Sequence, residues 1–579
     1  MDKMPKQPPG ANPAAGAHGG GVRGDRVNRG SRTFVGRFGR MFRTLPAAEF
    51  DEHNLKILAT AMSADPELSK NEPPRPAAAP ETDQRIQDGE ENSRISAGYT
   101  YLGQFIDHDI TFDPASSLQK RNDPDGLTDF RTPALDLDCL YGRGPEDQPY
   151  MYDHAGRKFI LGEPLHEKIG GPIKTHDLPR VGVRHRAVIG DKRNDENVIV
   201  SQLQGVFLQF HNRLADERHD LSFSEIQRLV RWHYQYVVLH DYLPKIVGDS
   251  TMNKIWPDRH IGNICGHGPH LCYYHFRDAA YMPIEFAAAA YRYGHSMVRP
   301  IYRLNTEHHA NGPSDDSSIA GRFFIFAGVQ ERGLNGFGRF PRDWAIDWSL
   351  FFDINGSGSR NFQAGEGKFR LQPAYKIDTS IVNPLAFLPE FSLPPKPVGT
   401  VLTVAAKPTI PPSTLQSTEE NSKNPSNLAI RNLLRGNSMG LPSGQAVAIA
   451  MGEEPIPTDK LMVGKAQLND DGSVDAKTID TIAGGYFNNN APLWFYVLAE
   501  SNAQWREKTA GMNPEDANKT EVTLGTVGGR IVAETLIGLL LADSHSFLNQ
   551  SPTWRPPTAN KTTGEYTMGD FIKYALNLK

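Results

Sequence analysis

Four short stretches of this 579-residue chain hold the side chains with the most chemistry to offer. In YLGQFIDHDITFDP, Tyr101 to Pro114, an apolar approach delivers Asp107, His108 and Asp109 in succession. Neighbouring residues on a helix point about 100° apart, so these three serve adjoining sites rather than one. A solvated acidic patch at a helix end is the plainer reading of such a triplet. In FAAAAYRYGHSMVRPIYRLN, His295 is expected well inside an apolar helix over Phe276 to Met297, and Gly294 beside it leaves room for a flat ligand. A hydrogen-bonded core histidine is the commoner fate of one buried imidazole.

The third stretch, RAVIGDKRNDENVIVSQLQGVFLQFHNRLADE, runs a polar group from Asp191 to Glu196 directly into an apolar helix. Acidic residues at that start favour the positive end of the helix dipole, with Arg193 solvated in the plain reading. His211, Asn212 and Arg213 read as structural. The fourth, NLAIRNLLRGNSMGLPSG, places Asn432 and Arg435 on a short helix ended by Gly and Pro. Two histidines on apolar helices distant in sequence could face one another across a cofactor. Haem iron asks for that pair in peroxide chemistry, one axial nitrogen and a free base opposite.

The elements that must position these groups are helical. Ile199, Leu203, Val206, Phe207, Phe210 and Leu214 recur every three or four residues, the stripe of a helix packed on a core. Ser224 to Val247, Pro492 to Glu500 and Glu521 to Leu541 behave likewise, and Thr523 to Leu541 is apolar nearly all round. Alternating strand patterns are short and few, and no solenoid repeat is present. The expected fold is mainly α, a large helical domain with long loops and few short strands. Residues 1–45, rich in Gly, Pro and Ala, are expected to be a flexible tail, and 46–579 the working domain. Pro-rich stretches at Asn71 to Asn92 and Gln372 to Asn427 read as punctuation.

A net charge of −5 supplies no basic field for nucleic acid or anionic membrane. No apolar run is long enough to cross a bilayer, and the start lacks the apolar core of a secretory signal. The expectation is a soluble chain, cytoplasmic or exported by a non-classical route. Three cysteines, Cys139, Cys265 and Cys272, make no disulfide framework. Cys265 and Cys272 with His267 and His270 between them fit no standard zinc spacing.

Together these stretches resemble the animal haem peroxidases, in family order from about Tyr101 to Leu548. GQFIDHD is similar to the distal motif of that family, YRYGH followed by Arg and Pro to the proximal motif, and HNRLA to the helix after the catalytic arginine. APLWFYVLAES and GGRIVAETLIGLLLADSHSF resemble its closing helices. The resemblance implies a haem b enzyme that reduces hydrogen peroxide and oxidises small donors through a high-valent oxo-iron state. His108 would move the peroxide proton, Arg193 would stabilise the charge that develops as the O–O bond breaks, and Gln104 would hold distal water or peroxide. His295 would bind iron, with Asn432 accepting a hydrogen bond from its other nitrogen. Arg292 and Arg435 would meet the haem propionates, and Asp107 and Glu196 match the carboxylates ester-linked to haem. Asn197 stands where some members carry a methionine in a sulfonium link, which implies weak chloride oxidation here. RGNSMG also departs from a family pattern ending in Asp-His-Gly.

Asp109, with Thr132, Ala134, Asp136 and Asp138 of TPALDLD, offers oxygen ligands and charge suited to calcium. Ala134 would contribute only its carbonyl, and the family usually has serine where Asp138 stands. Two other readings compete. Fatty-acid dioxygenases of the same superfamily carry a radical tyrosine three residues before the proximal histidine, a position held here by Arg292, with Tyr291 one residue further. A calcium-binding scaffold without turnover would not need the His108, Arg193 and His295 set.

Overall fold

Apolar stripes at helical spacing fold as helices wherever a cap is available to satisfy the first free amides. The computed structural model describes residues 38–63, 89–113, 129–168, 170–259, 268–277, 279–306, 322–326, 333–354, 370–386, 388, 425–560 and 564–578. Within them the helices of seven residues or more are α1 (Glu52–Met62), α2 (Ala97–Ile110), α3 (Val198–Glu217), α4 (Phe223–Val237) and α5 (Leu243–Ile255). They continue as α6 (Leu428–Ser438), α7 (Gly444–Ala450), α8 (Leu493–Thr509), α9 (Thr526–Ala542) and α10 (Met568–Ala575). Strands among the described residues occur only as two-stranded pairs.

Each central helix starts for a local reason. Asn197 caps α3 by accepting from the amides of Ile199 and Val200. Ser222 and Glu225 form a capping box on α4. Helix α9 has no side-chain cap of its own, and the buried Glu500 of α8 replaces it by accepting from Val527 and Gly528 amides at 3.1 and 3.2 Å. Burial pushes the Glu500 carboxyl up to about 7. Helix α9 packs on α5 and α8, and α3 lies between α2 and α10. Phe105 of α2 stacks on Phe207 of α3 with ring centroids 4.4 Å apart, which ties the distal helix to the longest one.

Four expectations need correction. The stretch Phe276–Met297 is not one helix: Met282–Pro283 is a strand, Ile284–Ala287 a single turn, and Ala290–His295 a 3₁₀ segment. Pro283 has no amide hydrogen to give, and Tyr291 and Tyr293, two residues apart, both bond the hydroxyl of Tyr242, at 2.9 and 2.5 Å. Such a pair would point to opposite sides of an α-helix. The acidic residues before α3 are not in its first turn, because Lys192–Asp195 forms a separate 3₁₀ turn. Helix α9 begins at Thr526, not Glu521. The packed body reaches back past residue 46, since Phe38–Gly39 pairs in parallel with Met282–Pro283 and Phe38, Met41 and Phe42 are buried. Cys265 and His267 lie outside the described residues. Among the described residues, no helix is long and apolar enough to cross a membrane.

Candidate functional site

Helix α2 ends in the DHD triplet, and its neighbour is the 3₁₀ turn that carries Arg193. His108 is buried, and its Nδ1 lies 2.7 Å from Asn194 Oδ1. Asn194 in turn donates through Nδ2 to Gln204 Oε1 of α3 at 2.8 Å. The carbonyl oxygen can only accept, so His108 Nδ1 carries the ring proton and Nε2 is left as a base. Burial and the Arg193 charge hold the His108 pKa down to about 4. The ring is therefore neutral at physiological pH.

Arg193 donates through Nη2 to the carbonyls of His108 (3.1 Å) and Thr111 (2.7 Å) and to Asp191 Oδ2 (2.8 Å). Its guanidinium also lies over the Phe112 ring, 4.6 Å from the centroid. Burial alone would raise the Asp191 pKa, but Arg193 and Arg131 reverse that and hold it far below the carboxylate range. Arg131 donates to Asp191 through Nε at 3.0 Å and, by its Nη1, to Asp138 at 3.1 Å. Sequence reasoning gives Asp191 only a helix-dipole role and gives none to Asn194 or Gln204, although Asp191 and Asn194 lie within two residues of Arg193.

Gln104, one turn before His108, is held from two sides. Its Nε2 donates to Glu196 Oε2 and its Oε1 accepts from Asn197 Nδ2, both at 3.1 Å. Asn197 thus caps α3 with its oxygen and orients Gln104 with its nitrogen. Asp107 accepts from the Thr111 hydroxyl at 2.9 Å.

On the opposite segment, His295 ends the Ala290–His295 turn, and this turn packs directly on α2. A Cβ built at Gly294 would meet no atom within 4 Å, so there is open space beside the imidazole. Burial and the nearby Arg292 charge lower the His295 pKa to about 3. Asn432 of α6 reaches it: the Asn432 side-chain amide lies 2.7 Å from His295 Nδ1, and Arg292 Nη1 donates to Asn432 Oδ1 at 2.9 Å. An arginine has only donors to offer, so it takes the oxygen. Arg435 pairs with Asp113 at 3.5 Å. Arg292 is brought to about 10 by burial and the Arg435 charge, with Asp107 and Asp113 opposing, so the distal and proximal segments share one electrostatic environment.

Carboxylate oxygens of Asp109, Asp136 and Asp138 come within 4.8 Å of one another. Asp109 Oδ1 is buried without a hydrogen-bond partner. Its carboxyl is pushed well up by burial and by Asp136 and Asp138, the condition a bound cation would relieve. Thr132 Oγ1 donates to Asp138 at 3.3 Å, and the Ala134 amide donates to the Thr132 carbonyl at 2.8 Å. Farther along α3, His211 is satisfied by the Tyr141 hydroxyl (3.0 Å) and the Arg157 carbonyl (2.9 Å), a structural histidine as expected.

Residues 123–337 match the family model described as animal haem peroxidase. Over that stretch the chain is similar to the animal haem peroxidases. Thyroid peroxidase of Canis lupus familiaris is 25% identical over 247 residues, 39% of this chain and 24% of that protein. Mouse myeloperoxidase is 26% identical over 145 residues, 23% of this chain and 18% of that protein. The chain thus spans about a quarter or less of the length of these curated relatives. Peroxidase A from Dictyostelium discoideum superposes with a TM-score of 0.51 at 13% identity, covering 94% of this chain and 97% of that one. A fatty acid alpha-dioxygenase of Arabidopsis thaliana gives 0.52 at 14%, covering 95% and 77%. These likenesses establish the helical peroxidase-cyclooxygenase fold. That likeness implies haem, and the donor set fits one: a neutral imidazole beside open space at Gly294, and a half-buried Arg292 cation whose hydrogen bonds among the described residues go to neutral acceptors.

Asp191→Asn removes the anion between two buried guanidinium groups. The expected cost is about 3–5 kcal/mol of folding stability, read by denaturant unfolding; a change below about 1 kcal/mol would show that Asp191 does not anchor Arg193.

Proposed function

We propose that the described body is one haem peroxidase domain that holds haem b between α2 and the Ala290–His295 turn. It reduces hydrogen peroxide and oxidises small donors such as iodide, bromide, thiocyanate or phenol-like compounds. The observation that carries this reading is the neutral His108, with its proton fixed on Nδ1 by Asn194, next to the buried Arg193 cation. Bound haem would supply two-electron reduction of peroxide followed by one-electron oxidation of donors. The chain's residues do the rest. His108 Nε2 accepts a proton from peroxide and returns it to the departing oxygen, so water leaves instead of hydroxide. Arg193, already charged and bonded in place, stabilises the negative charge on that oxygen.

Gln104 presents the second hydrogen of its Nε2 to peroxide or distal water while the first is donated to Glu196. His295 is the iron ligand, and Arg292 and Arg435 meet the propionates. Asp107 and Glu196 are the carboxylates for ester links, read out by whether acid-acetone extracts the haem. Calcium at Asp109, Asp136 and Asp138, with Thr132 and the Ala134 carbonyl, would fix the end of α2.

The deciding experiment is the absorption spectrum of the haem-loaded chain before and after peroxide, with donor oxidation followed in parallel. Oxygen uptake with a long-chain fatty acid and no demand for continuous peroxide would favour dioxygenase chemistry instead. His108→Gln should lower kcat/KM for peroxide by about 10²–10⁴. Because protonation of His108 below about 4 removes the base, the peroxide reaction should hold its rate at higher pH and fall as pH drops through that value. An acid limb near the ordinary histidine value would refute this assignment. Asn197 cannot form a sulfonium link, so chloride turnover at neutral pH should fall well short of iodide turnover; equal rates would overturn that reading. Chelation should lower both stability and activity before any haem is lost, by about 2.7 kcal/mol relative to calcium at a hundred times its Kd, seen as a calcium-reversible shift in Tm.

A further inference from the structure

Single exposed apolar residues are ordinary, but apolar side chains grouped with unpaired charge on one projecting segment mark a contact surface. The hairpin Arg180–Ala187, RVGVRHRA, is such a segment. Val183 at its tip is 98% exposed and Val181 60% exposed. The tip is held in shape: Arg180 pairs with Ala187 and Val181 with Arg186, the His185 amide donates to the Gly182 carbonyl at 3.0 Å, and Arg180 Nη1 donates to the His185 carbonyl at 3.1 Å.

The root of the hairpin is equally firm. The Arg180 guanidinium grips the Asp195 carboxylate at 2.7 and 2.8 Å and Asp177 at 2.9 Å, and Asp195 belongs to the turn that carries Arg193. The Asp195 carbonyl also accepts from the Phe337 amide at 2.8 Å. Phe337 is 51% exposed with a φ of 59°, a left-handed backbone that a bulky side chain adopts only under strain. A phenylalanine so placed contributes little to the core, yet it brings a third apolar side chain to the same joint.

Charge completes the pattern. The chain as a whole carries −5, but Arg184, Arg186 and Lys192 are exposed and make no ion pair among the described residues. The acids of the adjoining segments are already engaged: Asp177 and Asp195 by Arg180, Asp191 by Arg131 and Arg193, and Glu163 by Arg339 and Arg342.

We propose that the Arg180–Ala187 hairpin, with Phe337 and Lys192, docks on an anionic lipid bilayer: Val181, Val183 and Phe337 enter the headgroup boundary, and Arg184, Arg186 and Lys192 bind lipid phosphates. An acidic protein or a nucleic acid would use the cations and leave the valine tip in water, whereas a bilayer interface takes both. Because Arg180 ties the hairpin to the Arg193 turn, the docked face lies next to the distal segment. The inference is independent of the peroxidase reading.

The test sediments the full chain with vesicles of phosphatidylcholine alone and of phosphatidylcholine mixed equally with phosphatidylserine. Binding to the mixed vesicles and not to the neutral ones is expected, weakening as salt is raised. Arg184→Gln and Arg186→Gln should each lower the partition constant about fivefold. Val183→Ser should lower it as well while leaving binding to a soluble polyanion, dextran sulfate, unchanged. All three side chains are exposed, so the variants should keep the wild-type Tm. Equal binding to both kinds of vesicle, binding to neither, or binding indifferent to the arginine variants would overturn the proposal. So would a Val183→Ser chain that binds vesicles as well as wild type, since the surface then answers to charge alone and suits an acidic macromolecule.

Discussion

A single buried carboxylate, that of Asp191, stands between two guanidinium groups and fixes both. Arg193 binds it through Nε and Nη2, Arg131 through Nε and Nη2, and the Arg193 amide adds a further bond at 2.9 Å. Arg131 then reaches on to Asp138 in the acidic loop, while Arg193 reaches the last carbonyls of α2. A cation at the C-terminal end of a helix is favoured by the helix dipole as well as by those bonds. One anion thereby couples the acidic loop, the arginine and the helix that carries His108. Each contact would be modest at the surface, but in a buried setting charge-assisted bonds gain strength and each depends on its neighbours.

Burial also decides the state of the two pocket histidines. Both are neutral because desolvation disfavours the imidazolium more than any nearby carboxylate favours it. Each ring has an amide beside it. Asn194 meets the His108 ring and is held by Gln204, while Asn432 meets the His295 ring and is held by Arg292. In each case a third residue fixes the amide that meets the ring.

That dependence explains how much could be read from sequence. Helices α3 and α9 were legible because their apolar residues recur without interruption, although α9 begins five residues later than its apolar run suggests, where Glu500 supplies the missing cap. The helix expected around His295 was not legible as broken, since the demand that Tyr291 and Tyr293 both meet Tyr242 comes from a distant π-helical turn, Val238–Tyr242. Resemblance to family motifs brought out Gln104, His108, Arg193, His295 and Asn432; Gln104 lies one turn before His108 on α2, Arg193 bonds the His108 carbonyl, and Asn432 meets His295. Direction was hidden. An asparagine reads the same in sequence whether it gives or takes a hydrogen, and Asn197 reads as a mere departure from family habit until its bond to Gln104 is seen.

The first described residues form a strap across the back of the proximal side. Arg40 donates to the carbonyls of Gly440 and Met439 just beyond α6, and the Met41 and Phe42 amides donate to the buried Glu285 carboxylate, ten residues before His295. Phe50 exchanges two bonds with Asn437. A protease that clipped the chain after Leu45 would spare every numbered helix, yet it would cut the tether joining the two pieces of backbone that present Asn432 and His295 to each other. Damage at one end of the polypeptide would then be felt as looseness at an imidazole in its middle.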